Sequence, residues 1–188
     1  MLRLCTPTLL VALASGCGGS PTTTTTAAGN TAPAAPTLPA IAQLTPSYLP
    51  GVYLGMPEAA FLAARPGATP DGPVDPDDFR ATFVEREPAP GVKEITYYVS
   101  RQVDEPRLYE LIIDHAEQPA AIAAYDAVAA DGEPVSGETM PTVHFSGYDA
   151  PTRVWRFNRA LVLAIALPGS EWDGEWADAP VADQDDEW

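Results

Sequence analysis

The chain has 188 residues, with 10 Lys plus Arg against 26 Asp plus Glu, a formal net charge of −16 and two cysteines. That length allows one domain with a sizeable core or two small ones, and the acidity excludes nucleic-acid binding and polybasic docking on anionic lipid. Cys5 and Cys17 both lie in the first 17 residues, which excludes a disulfide-stapled fold and a cysteine-ligated zinc site.

The excess of acid is unevenly placed. Residues 1–40 carry one charged side chain, Arg3, while 41–170 carry 18 acids and 9 bases. Residues 171–188 carry eight acids and no base. The chain therefore divides into four segments: 1–16, 17–40, 41–170 and 171–188.

The first segment opens on Met1-Leu2-Arg3, continues through an apolar stretch from Leu4 to Ala14, and ends at Ala14-Ser15-Gly16-Cys17. A basic end, a short apolar run and small residues before a cleavage point predict a secretory signal over 1–16. The run is too short to span a bilayer, which takes about 20 residues. Ala14-Ser15-Gly16-Cys17 resembles the lipobox of bacterial lipoproteins. That resemblance implies that Cys17 becomes the lipid-bearing mature N-terminus, with palmitate among its acyl chains. Several chains, each contributing about 0.8 kcal/mol per buried CH₂, anchor a protein stably. Gly18 follows, where an Asp would favour inner-membrane retention, so the resemblance points to the outer membrane and its periplasmic face. Residues 17–40 hold Gly-Gly-Ser-Pro, five threonines and an Ala/Pro run. They cannot bury enough surface to offset ordering entropy, and they predict a disordered tether. At about 3.1 Å per residue, Pro-rich chain of this length reaches on the order of 70 Å.

Segment 41–170 predicts an α+β domain in which a helix is followed by strands, twice. Pro57 suits a first helical position and Glu58 the positive end of the helix dipole; Ala59 to Arg65 continue the helix and Pro66-Gly67 stop it. Residues 68–78 read as a loop. Phe79, Ala81 and Phe83 alternate as a half-buried strand, and Ile95, Tyr97 and Val99 do so within Lys93 to Arg101. Leu108 to Ile113 is apolar on both faces except at Glu110, which predicts a central strand. A second helix is predicted over Pro119 to Ala130, with Ile122, Tyr125 and Ala129 on its apolar face and Gly132 in the left-handed position beyond its end. Strands follow at about Thr142 to Phe145, Arg153 to Asn158 and Ala160 to Leu167, the last two joined through Asn158-Arg159.

The fold class is accordingly an antiparallel sheet with two helices. Tyr97-Tyr98-Val99-Ser100-Arg101 and Trp155-Arg156-Phe157-Asn158-Arg159 share a pattern at an offset of 58 residues, which suggests tandem duplication of a helix-plus-three-strand unit. Val52-Tyr53-Leu54-Gly55-Met56-Pro57-Glu58-Ala59-Ala60-Phe61, followed by Arg65-Pro66-Gly67, resembles the glycine-methionine helix opening of small outer-membrane lipoproteins of the BamE/SmpA kind. The resemblance implies helices before a three-stranded antiparallel sheet, and an assembly or interaction factor with no catalytic residues to carry over.

Candidate chemistry is sparse. Ser146 with His115 or His144 and an acid would make a hydrolytic triad, but Ser146-Gly147 lacks the G-x-S-x-G elbow. Asp71, Asp75, Asp77 and Asp78 form an oxygen-rich loop of the kind calcium favours. Its spacing fails the EF-hand pattern, so no metal is assigned. No glycine-rich loop follows a strand, so no nucleotide and no other cofactor is expected. The tail repeats an acid-tryptophan pair at Glu171-Trp172, Glu175-Trp176 and Glu187-Trp188. In one reading Trp172, Trp176 and Trp188 fill pockets on a partner while the carboxylates steer towards it. In the other, Trp172 and Trp176 pack back on the domain's own sheet. These features together predict a lipid-anchored, non-catalytic binding or assembly module that meets another envelope protein. The alternative is a membrane-anchored enzyme or enzyme inhibitor with a site near His115 or His144.

Overall fold

Short alternating stretches separated by Pro and Gly build strands whose apolar sides must share one core. Residues 40–73, 78–101 and 103–176 are described by the computed structural model. The expected signal segment 1–16, Cys17, the expected tether through residue 39, Asp75, Asp77 and Trp188 lie outside the described residues. The order is a 3-10 turn at Ala40–Leu44, α1 at Glu58–Ala64, β1 at Thr69–Pro70, β2 at Arg80–Ala89, β3 at Val92–Ser100 and β4 at Leu108–His115. Then come α2 at Gln118–Ala129, β5 at Glu133–Pro134, β6 at Thr142–Phe145, β7 at Thr152–Phe157 and β8 at Ala160–Ile165. The strands form one antiparallel sheet in the order β1-β2-β3-β4-β8-β7-β6-β5, so the fold is mixed α+β. Among the described residues no helix is long and apolar enough to cross a membrane.

The two most apolar strands sit at the centre. β4 and β8 pair through Leu111 with Leu163 and Ile113 with Leu161, and all four side chains are fully buried. Ile95, Tyr97, Val99, Val154 and Ile165 extend this face. The segment before α1 covers it with Leu49, Val52, Leu54 and Met56, and α1 adds Phe61. Phe61 packs between Phe83 and Tyr97, with ring centroids 5.5 and 4.7 Å away. α2 lies over β4, β7 and β8.

Local chemistry explains the joints. Gly55, at φ 83°, lets the chain turn so that its N–H meets the Leu108 carbonyl at 2.7 Å, a conformation that glycine adopts without penalty. The Met56 carbonyl in turn accepts from Leu108 N–H at 2.9 Å, tying the start of α1 to the start of β4. Glu58 accepts from Arg101 Nη2 at 2.8 Å. Pro57 is the residue preceding α1 rather than its first helical residue. Glu85 accepts from Arg65 Nε and Tyr97 Oη, both at 2.9 Å, and so fastens the end of α1 over β2 and β3.

Three local expectations are corrected. Ile122 is exposed, and α2 turns Ala121, Ala124, Tyr125, Val128 and Ala129 to the core. Tyr125 and Ala129 face the core as expected, while the small Ala121, fully buried, takes the place expected of Ile122. Gly132 does not adopt a positive φ. It is required because a Cβ there would stand 2.7 Å from Val143 Cβ and 2.8 Å from the Phe145 ring. Residues 68–78 and 131–141 also contain the two-residue edge strands β1 and β5, too short and too rich in Pro for periodicity to reveal.

The halves share a topology of helix, two-residue edge strand and three longer strands, and they meet at β4–β8. The 58-residue match, however, does not put equivalent side chains on equivalent faces. Tyr97 pairs with Leu111, Leu111 with Leu163 and Leu163 with Val154, all towards the helices. Trp155 pairs with Val162 and faces the other way.

Candidate functional site: an indole cluster over a buried carboxylate

The second face of the sheet carries no helix among the described residues, and its side chains follow from register. Thr82, Tyr98, Glu110, Ala164, Arg153, His144 and Glu133 form one row across seven strands. Thr96, Ile112, Val162 and Trp155 form the next. Between Tyr98 and Val99 the register slips, leaving Tyr109 as an extra residue of β4. Its ring lies 6.3 Å from that of Tyr98.

Part of this face is roofed by the chain after β8. Gly169 and Gly174, at φ 74° and 76°, allow tight turns through Trp176, and Asp173 Oδ2 accepts from Gly169 N–H at 2.9 Å. Trp172 and Trp176 are half-buried and stacked, with centroids 4.9 Å apart at 28°. Trp155 meets both edge-on, at 5.9 and 6.4 Å. Arg153 lies 5.1 Å from the centre of the Trp176 ring, a favourable cation–π placement. Trp176 holds φ 65°, a left-handed backbone that a bulky residue keeps only when its surroundings fix it.

Beneath the indoles lies Glu110, only 4% exposed. Trp172 Nε1 donates to its Oε2 at 3.1 Å. Burial pushes the Glu110 carboxyl up to about 7; the Trp172 hydrogen bond opposes that rise, the Glu171 charge adds to it and Arg80 lessens it. Arg80 Nη1 pairs with Glu171 at 2.6 Å and lies 4.6 Å from the centre of the Tyr98 ring. The Tyr109 hydroxyl is buried close enough to Arg80 and Glu171 to feel their charges, yet it makes no hydrogen bond of normal geometry.

The histidines take other roles. His115 is buried, its Nδ1 lying 3.2 Å from the Arg159 carbonyl and its Nε2 3.0 Å from Tyr48 Oη. A carbonyl only accepts, so Nδ1 carries the proton and the Tyr48 hydroxyl donates to Nε2. Burial raises the Tyr48 phenol to about 12, keeping that donor protonated. β8 and β7 separate His115 from His144 in the sheet. His144 and Ser146 do line one open groove of about 390 Å³ with Asp131 and Glu133. Burial and the Arg153 charge lower the His144 pKa, and its Nδ1 has no hydrogen-bond partner among the described residues. Asp71 and Asp78 flank residues 74–77. No group of three or more His, Cys, Asp or Glu among the described residues is placed to hold a metal.

Trp172 and Trp176 were legible as unusual for an acidic tail. Trp155, Glu110 and Arg80 were not, because each reads locally as one position of an amphipathic strand. Glu110 did carry a signal, as the lone acid in the stretch Leu108 to Ile113. In comparison with known proteins, the chain matches no family model, no curated protein and no solved structure.

Proposed function

We propose that the chain is a lipid-anchored envelope protein acting as a non-catalytic binding or assembly module that faces the periplasm. The carrying observation is the helix-free sheet face, where aromatic and charged side chains from β2, β4 and β7 converge on one surface. Interfaces concentrate their binding energy in such Trp, Tyr and Arg clusters. The Ala14-Ser15-Gly16-Cys17 sequence and the tether behind it supply the anchor and the reach. The BamE/SmpA-like helix opening agrees with an assembly role. Its Gly55-Met56-Pro57-Glu58 stretch serves here to join α1 to β4.

Two experiments test this reading. Cys17→Ser releases the protein from the membrane fraction; unchanged fractionation overturns the anchor. Affinity purification from native membranes recovers an envelope protein whose yield falls in Trp155→Ala, and an identical set of co-purified proteins overturns the module.

The repeated topology of the two halves supports descent from a duplicated helix-and-strand unit, aligned on sheet position rather than on the 58-residue match. The groove holding His144 and Ser146 favours the alternative of an enzyme or inhibitor. Covalent labelling of Ser146 by a serine-directed phosphonate, lost in Ser146→Ala, would support that alternative.

A further inference from the structure

Glu171 and Trp172 are held as a pair by side chains from three strands. Arg80 of β2 takes the Glu171 carboxylate at 2.6 Å. Glu110 of β4 accepts the Trp172 indole N–H at 3.1 Å. Trp155 of β7 lies edge-on to the indole, with centroids 5.9 Å apart. One polar anchor is a guanidinium cation and the other a carboxyl oxygen that accepts, so the site reads an anion followed directly by an N–H donor on a flat apolar body. Tryptophan is the side chain that combines one ring N–H donor with no acceptor.

The segment carrying this pair is attached weakly through its backbone. Its main-chain hydrogen bonds among the described residues are internal: Ser170 N–H to Leu167, Asp173 N–H to Ser170 and Glu175 N–H to Trp172. No strand pairing links residues 169–176 to the sheet among the described residues. Side chains alone dock it, and the Arg80–Glu171 pair sits at the rim with side chains 36% and 31% exposed. The site is therefore complete without the segment, whose role in it is that of a ligand.

We propose that this face is a recognition site for a partner protein's peptide in which a glutamate directly precedes a tryptophan, and that residues 169–176 occupy it as a displaceable internal ligand. The inference rests on the binding-module reading and names the chemistry of its partner. Tethering gives the internal segment an effective concentration in the millimolar range, so an external peptide competes poorly until that segment is loosened.

The test uses the full chain and a fluorescent peptide of sequence Gly-Ser-Glu-Trp-Asp-Gly-Glu-Trp, followed by anisotropy. Glu171→Gln removes only the rim ion pair, and binds the peptide about two- to fivefold tighter than wild type, as the strength of an exposed pair implies. Trp172→Ala empties the indole position and binds it more than tenfold tighter. Replacing the first Trp of the peptide by Ala abolishes binding, and replacing its first Glu by Gln weakens it. Equal affinity for wild type and Glu171→Gln, with both folded by circular dichroism, overturns the proposal even if Trp172→Ala fails to fold. That result leaves the fractionation and purification tests of the broader reading untouched, so the two can fail separately.

Discussion

Trp172 and Glu110 stand 62 positions apart in sequence and meet through one hydrogen bond, the indole Nε1 donating to the carboxylate Oε2 at 3.1 Å. The bond ties the chain after β8 to the centre of the sheet. It also sets the charge of a buried acid, because an N–H donor favours the ionised carboxylate while burial opposes it.

Glu110 makes stability depend on pH. Below the ordinary carboxyl value of 4.5 it is neutral in folded and unfolded chains alike; up to about 7 the folded chain alone keeps the proton. Its contribution to stability therefore falls as pH rises through that window and levels off above it. Glu110→Gln keeps an oxygen that accepts from Trp172 and removes the titration. Its advantage over wild type should grow from nothing near pH 4 to on the order of 1–3 kcal/mol at pH 8, read by urea denaturation at each pH. Arg80, Glu171, Tyr98 and Trp172 face this carboxyl and are the same in both proteins.

Phe61 is fully buried, the buried residue of a seven-residue helix. Phe61→Ala should cost about 3–5 kcal/mol, since it removes the ring that fills the space between Phe83 and Tyr97. A fall in the denaturation midpoint of less than 1 kcal/mol equivalent would contradict this packing.

Glu85 joins Arg65 and Tyr97, and the side chains of the Arg65–Glu85 pair are 12% and 13% exposed. Glu85→Ala leaves a largely buried guanidinium unpaired and should cost about 3 kcal/mol. Arg65→Met with Glu85→Leu together should recover only part of that loss, because neither charge is stranded but the buried Tyr97 hydroxyl still lacks its acceptor. Thermal melts of the single and double variants separate these outcomes.

Gly132→Ala should lose about 1–3 kcal/mol through overpacking, since the new methyl would meet Val143 and Phe145. Val143→Ala in the same chain keeps the Val143 Cβ that stands closest and leaves Phe145 in place, so thermal melts of the double variant should show no recovery of that loss. Gly91 is the contrast: it has open space but φ 80°, so Gly91→Ala is destabilised by backbone strain rather than by overpacking.

Much of the fold was legible in local pattern. Tyr97 and Ile95 announced a strand through alternation, and the apolar runs of β4, interrupted at Glu110, and of β8 announced strands inside the sheet. α2 was legible in extent and in two of the three side chains expected on its buried face, Tyr125 and Ala129, but not at Ile122. Ile122 is the larger side chain, yet the close approach of Ala121 to the sheet decides which stripe is buried. The edge strands β1 and β5 carry no periodic signal in two residues each. The site was legible only as an anomaly, because tryptophan in an acidic tail is incompatible with simple solvation.

Composition by position determined where the charge and the cysteines lie: eight acids and no base over 171–188, and both cysteines within the first 17 residues. Period-two alternation and continuous apolar runs placed the longer strands of the middle, and helical spacing placed its two helices. Only the tertiary structure decided that β4 and β8 lie side by side, since strand order depends on contacts between distant residues that no local window contains. That adjacency brings Arg80, Glu110 and Trp155 onto one face, and it is there that Glu171 and Trp172 of the acidic tail find their partners.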